Sequence, residues 1–83
     1  MIIVTQDKKE IVNFNTVVNI RVEECRSGPE DIDVNYRLFV RTIDHSLYGS
    51  IGNYSTEERA KEVLEKMINA IGLGMYKYDM PQK

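Results

Sequence analysis

The chain has 83 residues, of which 42% are hydrophobic and 29% charged, with one cysteine, one histidine and a formal net charge of −2. This length allows one domain with little stability to spare, and the lone Cys25 excludes an intramolecular disulfide and favours a reducing, cytoplasmic setting. The acidic balance disfavours a dedicated nucleic-acid-binding protein, and the apolar run at residues 1–4 is too short for a signal peptide or a membrane span.

The N-terminal residues predict a β-hairpin followed by a third strand. Residues 2–5 are all β-branched, a polar turn follows at residues 6–9, and Ile11, Val12 and Phe14 resume an extended pattern. The alternation over residues 18–22 then predicts a third strand with one buried face.

A loop and two further strands are predicted next. Residues 25–31 combine a glycine, a proline and clustered charges, which is typical of a loop. Strict alternation over residues 32–43 predicts a long strand in the centre of the sheet. Residues 44–46 predict a turn, and the alternation over residues 47–51 predicts a fifth strand.

After Tyr54 the periodicity becomes that of an amphipathic helix. Ser55 or Thr56 is the predicted N-cap, with Ser55 and Glu58 matching a capping box, and Gly72 is the predicted stop. Apolar residues at spacings of three and four predict one stripe that faces the core: Ala60, Val63, Leu64, Met67, Ile68 and Ile71. Two favourable i,i+4 ion pairs are predicted on the polar side: Glu57 with Lys61, and Glu62 with Lys66.

These elements predict an α+β domain of two layers, in which an antiparallel five-stranded meander sheet packs on one C-terminal amphipathic helix. Residues 1–74 form this single domain in the prediction. Residues 75–83 are a tail, for which an added strand, a docking arm and a disordered end all remain open.

The residue pattern predicts no enzyme, cofactor or metal site. His45 stands between Asp44 and Ser46, but neighbouring side chains in a turn point apart, whereas a catalytic triad needs sequential contacts. Cys25 has one candidate activator in Arg26, and a thiol without a chemical role is the simpler interpretation. Five acidic residues lie in or beside the predicted loop: Glu23, Glu24, Glu30, Asp31 and Asp33. Their spacing is not that of a calcium-binding loop, which favours a solvated loop.

Two surfaces are candidates for binding a partner. The first is a self-association face predicted from five apolar and aromatic residues: Phe39, Ile43, Tyr48, Tyr76 and Tyr78. Self-association through an exposed sheet edge is the alternative. An alternative nucleic-acid face is predicted if the third and fourth strands are neighbours, because cations would then surround an aromatic ring on the side away from the helix: Arg21, Arg37, Phe39 and Arg41. Cross-strand ion pairs from Glu23 and Asp33 are the competing interpretation of that arginine cluster.

Two segments are similar to known sequences: Met1-Ile2-Ile3-Val4-Thr5-Gln6-Asp7-Lys8 with Ile11-Val12-Asn13-Phe14-Asn15, and Gly52-Asn53-Tyr54-Ser55-Thr56-Glu57-Glu58-Arg59-Ala60-Lys61-Glu62-Val63-Leu64. Together they resemble a group of small uncharacterised proteins found in Gram-positive bacteria and their phages or prophages. The resemblance implies a cytoplasmic protein of phage or mobile-element origin, and it implies no catalytic residues.

The leading hypothesis is therefore a small non-enzymatic protein that forms a homodimer or a higher homo-oligomer and has no membrane partner. A nucleic-acid-binding accessory protein is the alternative hypothesis.

Overall fold

The structure is a computed structural model that describes residues 1–31, 33–43 and 48–83, without the side chains of Asp31 and Tyr48. Its described strands form two sheets of three strands each, with the orders β2-β1-β6 and β3-β4-β5. The elements are β1 (Ile2–Val4), β2 (Ile11–Asn13), β3 (Val17–Ser27), β4 (Asp33–Thr42), β5 (Tyr48–Tyr54), α1 (Glu57–Gly72) and β6 (Lys77–Asp79).

The α+β class is confirmed, but the five-stranded meander is wrong. The chain leaves the first sheet after β2 through a 3₁₀ turn at Phe14–Thr16. The Asn13 side chain accepts a hydrogen bond from the Asn15 amide at 3.0 Å, and the Thr16 hydroxyl donates to the Asn13 carbonyl at 2.8 Å. These bonds turn the backbone away from β1, so that β3 begins a second sheet and pairs with β4.

β3 and β4 form a hairpin that extends beyond the third strand of their sheet. β3 continues to Ser27, so Cys25 lies in a strand opposite Asn35 and not in the predicted loop. β5 pairs with β4 only from Tyr36 to Arg41, which leaves the outer end of the hairpin as a two-stranded arm. The molecule is accordingly elongated, with extents of 42 × 26 × 20 Å.

The helix begins and ends close to the predicted residues. Of the two predicted N-caps Thr56 is the one used, and its side chain accepts from the Arg59 amide at 3.1 Å. Beyond Gly72 the chain is reversed by Gly74 at φ +70°, and the Met75 amide donates to the Ala70 carbonyl at 3.1 Å. Both predicted ion pairs are present at N···O distances of 2.6 and 3.3 Å: Glu57 with Lys61, and Glu62 with Lys66.

The predicted single apolar stripe of the helix is divided in the structure. Ala60, Val63, Met67 and Ala70 are buried, and Leu64 is half-buried. Ile68 and Ile71 are 58% and 40% exposed. The core therefore uses only one side of the apolar surface of α1, and it joins residues of both sheets: Ile3, Val12, Leu38, Val40, Ile51, Tyr54, Ala60, Val63, Met67 and Met80.

The C-terminal segment joins the two sheets. β6 pairs in parallel with β1, and Met80 immediately after it is 2% exposed within the core. The Tyr54 hydroxyl of β5 donates to the Pro81 carbonyl at 2.9 Å, and burial raises the pKa of Tyr54 to about 12. The predictions for Ile32, for the turn at residues 44–46 and for Leu47 lie outside the described residues.

Gly52 of β5 packs closely against the C-terminal segment and has little free space around it. A Cβ atom built there would lie 2.9 Å from the Met80 Cε atom and 3.0 Å from the Tyr54 ring, whereas a Cβ atom on Gly49 meets nothing within 4 Å. We expect Gly52→Val to lower the free energy of unfolding by about 1–3 kcal/mol through overpacking. Gly49→Ala is the matched control and should leave it unchanged or slightly higher. Urea unfolding followed by circular dichroism measures both, and equal effects would contradict the tight contact.

Candidate functional site

The arginines of the predicted nucleic-acid face lie on the outer face of the second sheet, away from α1. Arg21 of β3 is opposite Phe39 of β4, and Glu23 is opposite Arg37. Arg41 follows two residues later on the same side of β4, opposite Asn19. The structure therefore brings all four predicted residues of this face together.

The charges on this face are partly compensated. The Arg21 guanidinium forms an ion pair with Glu23 on its own strand, and both side chains are partly exposed. None of the ion pairs found among residues 1–31, 33–43 and 48–83 includes Arg37 or Arg41. The face consequently keeps two cationic side chains on either side of Phe39.

A cleft of about 260 Å³ adjoins this face between the turn after β1 and β5. Its polar lining includes Arg37, Asp7, Ser50 and Asn53. Hydrogen bonds from the Lys9 amide and the Thr5 hydroxyl hold the pKa of the Asp7 carboxyl below its usual range. The cleft therefore presents a carboxylate beside a guanidinium at neutral pH, which weakens its attraction for an anion.

The residues of the predicted self-association face are divided between the two sheets. Phe39 is half-buried on the outer face of the second sheet, and Ile43 just beyond β4 is 66% exposed. Tyr76 precedes β6 and is 80% exposed, whereas Tyr78 within β6 packs against the core. The side chain of Tyr48 lies outside the described residues.

The open edge of the second sheet is better defined than either predicted face. β3 is the edge strand, and among the described strands it pairs with β4 alone. From Asn19 to Ser27 the pairing has no irregularity, and this stretch contains no proline, glycine or lysine. Natural edge strands usually carry a bulge, a proline or charged side chains that discourage further pairing. The only register shift of β3 against β4 lies at its start, between Val17 and Asn19. The charges on this edge have both signs: Arg21, Glu23, Glu24 and Arg26.

A second uncovered surface lies on one flank of α1, formed by Leu64, Ile68 and Ile71, and is here called the helix flank. At 100° per residue the apolar positions of α1 cover an arc of about 160°, which is wider than the stripe one packed face needs. The width of that arc is the feature of the sequence that indicates two surfaces. The spacing of three and four residues alone predicts a single stripe, because both surfaces share it.

The described residues bring no further catalytic groups together. The Cys25 thiol is half-buried on β3, with its Sγ atom 4.0 Å from the Glu23 carbonyl oxygen. His45 lies outside the described residues. No three histidine, cysteine, aspartate or glutamate side chains of the described ranges meet in a way that could hold a metal ion.

Comparisons of the chain with models of protein families, with curated proteins and with solved structures gave no match. Within the part of the chain that the structure describes, no helix combines the length and the apolar character needed to cross a lipid bilayer.

Proposed function

We propose that the protein is a non-enzymatic interaction module that self-associates through the open edge of β3. The observation that carries the proposal is the regular edge from Asn19 to Ser27, which no other described strand covers. A second copy of the chain can add its own β3 there and extend the sheet. The resemblance of two segments to small uncharacterised proteins of Gram-positive bacteria and their phages or prophages supports a phage or mobile-element origin for such a module.

Charge and overlap together favour one antiparallel register of β3. A register centred on Cys25 would also set opposite charges against each other, Glu24 and Arg26, but it would pair only Glu23 to Ser27 of the regular stretch, whereas a register centred on Val22 pairs Asn19 to Cys25. A two-fold axis at Val22 places Arg21 opposite Glu23 of the second copy, and by symmetry Glu23 opposite Arg21 of that copy. An axis at Glu23 would instead set two glutamates directly against each other. The charge order of the strand is therefore complementary to itself in the register centred on Val22.

Side-chain contacts determine whether the dimer is stable, because the main-chain hydrogen bonds only offset the cost of association. The seven residues from Asn19 to Cys25 that this register pairs add about six to eight main-chain hydrogen bonds, each worth about 0.5–1.5 kcal/mol net. Association costs about 4–15 kcal/mol in lost translational and rotational freedom, so the main-chain bonds roughly balance that cost. The two Arg21 to Glu23 pairs and the neighbouring apolar contacts then determine whether a dimer forms.

Charge reversal at one position should weaken the dimer, and reversal at both should restore it. Arg21→Glu replaces two attractive cross-strand pairs by repulsive ones, which we expect to raise the Kd of self-association about tenfold or more. Arg21→Glu combined with Glu23→Arg recreates the opposite-charge pairs and should return the Kd to within about threefold of the original. Sedimentation equilibrium at low salt measures the three constants.

Lys66→Glu provides the matched control, because it changes the net charge of the protein by as much as Arg21→Glu does. Lys66 lies on the side of α1 that carries Arg59, away from the β3 edge. It should leave the Kd unchanged. A chain that remains monomeric at several hundred micromolar, or a double variant as weak as the single one, would contradict the proposed edge pairing.

A second candidate function is the binding of single-stranded nucleic acid on the outer face of the second sheet. The specific observation in its favour is that Arg37 and Arg41 flank Phe39 without an ion pair among the described residues. A base can stack on an aromatic ring while neighbouring cations contact the phosphates. The net charge of −2 and the Asp7 carboxylate near Arg37 rank this function below self-association.

This second function predicts salt-sensitive binding of oligonucleotides. Arg37→Ala with Arg41→Ala should abolish retardation of a labelled single strand at low salt, because two phosphate contacts are lost. Lys61→Ala with Lys66→Ala removes the same charge from the helix and should preserve it. Absence of binding by the unmodified protein, or equal loss in both double variants, would eliminate this function.

A further inference from the structure

The helix flank lies on the side of α1 away from the C-terminal segment. The opposite flank of α1 is fixed by Arg59, whose guanidinium lies 6.0 Å from the centre of the Tyr54 ring and donates to the Lys83 carbonyl at 2.8 Å. Arg59 therefore marks the side of the helix that faces β5 and the C-terminal segment. Because α1 contacts all three strands of the order β3-β4-β5, we expect the other flank on the β3 side, next to the edge at which the second copy is proposed to bind.

Packing of partly buried side chains agrees with this orientation. Leu64 of the helix and Ile20 and Val22 of β3 all pack against the core from its margin. Beyond Leu64, the exposed Ile68 and Ile71 continue the same flank at spacings of four and three residues. The apolar surface of α1 thus continues past the core toward the open edge.

The symmetry of edge pairing brings two such flanks to the same side. A two-fold axis between antiparallel edge strands is perpendicular to the sheet and keeps each face on its own side. Both helices of a dimer would therefore lie on one face of a continuous six-stranded sheet. Each helix would turn its flank toward the axis.

We propose that the helix flank packs against the helix flank of the second copy and forms the apolar centre of the interface. This inference rests on the proposed self-association at β3. A strand edge by itself contributes hydrogen bonds that water also satisfies, whereas stable interfaces have an apolar centre surrounded by polar groups. Leu64, Ile68 and Ile71 supply that centre, and Arg21, Glu23 and the main chain of β3 supply the polar part.

The exposed area of the chain is slightly larger than that of an average monomer of its size. The protein exposes 5545 Å², whereas a monomer of this size is expected to expose about 5,100 Å². The protruding arm of the β3–β4 hairpin and the uncovered isoleucines both add to this area. A standard interface buries roughly 800 Å² per partner. Contact along both the strand edge and the helix flank comes closer to this area than contact along the strand edge alone.

The test replaces the flank isoleucines by a polar residue that favours the helix. Ile68→Gln with Ile71→Gln should raise the Kd of self-association at least tenfold in sedimentation equilibrium. The Tm of the dilute, monomeric protein should change little, because both side chains are already exposed. Ile11→Thr is the control, since Ile11 is 67% exposed on β2 of the first sheet, and it should leave the Kd unchanged.

The outcomes separate this inference from the proposed edge pairing. If Arg21→Glu weakens the dimer and the glutamine variant does not, the helix flank is excluded from the interface and this inference is overturned while the edge pairing stands. If the glutamine variant weakens it and Arg21→Glu does not, the copies meet through their helices without edge pairing, and the shared interface proposed here is overturned. A monomeric unmodified protein overturns both.

Discussion

Docking of the C-terminal segment is the interaction on which the rest of the structure depends. The Gln6 side-chain amide lies at the centre of this junction. Its Nε2 atom is 3.0 Å from the Asn53 carbonyl, 3.1 Å from the Pro81 carbonyl and 2.9 Å from the Gln82 carbonyl, and its Oε1 atom accepts from the Asn53 amide at 2.7 Å. One side chain thereby connects the first sheet, β5 and the end of the chain. Strands of three residues have too few contacts to be stable alone, so β1, β2 and β6 depend on this junction.

The same junction determines which surfaces stay uncovered. The single helix and Met80 are used to fill the space between the two sheets, and the C-terminal segment occupies the side of the second sheet next to β5. Apart from the 3₁₀ turns at Phe14–Thr16 and Pro29–Asp31, which precede and follow β3, the described residues form no further element that could cover the β3 edge or the helix flank. With the helix flank on the β3 side, as inferred, a second copy related by a two-fold axis would cover both surfaces together.

Local features were predictable from the sequence, whereas the pairing of distant segments was not. Thr56 and Gly72 mark the helix because capping and termination depend on a few neighbouring residues. The division into two sheets depends on β1 pairing with β6, more than seventy residues away, and on Gly52 leaving room for Met80. Alternation cannot report such contacts, because a period of two indicates a strand without naming its neighbour. The exposure of Ile68 was missed for a related reason, since periodicity does not measure how wide a surface the core covers.

The most direct test of the proposed assembly is a disulfide that only one register allows. Pairing centred on Val22 places Asn19 opposite Cys25 of the second copy, with their Cβ atoms about 4.5–5.5 Å apart. Within one chain the two residues are six positions apart on β3, about 20 Å, so they cannot bond to each other. On mild oxidation Asn19→Cys should give a covalent dimer on non-reducing gels, whereas Val18→Cys, which faces Arg26 of the second copy, should not. A monomeric Asn19→Cys variant, or equal cross-linking of both variants, would contradict the β3 interface.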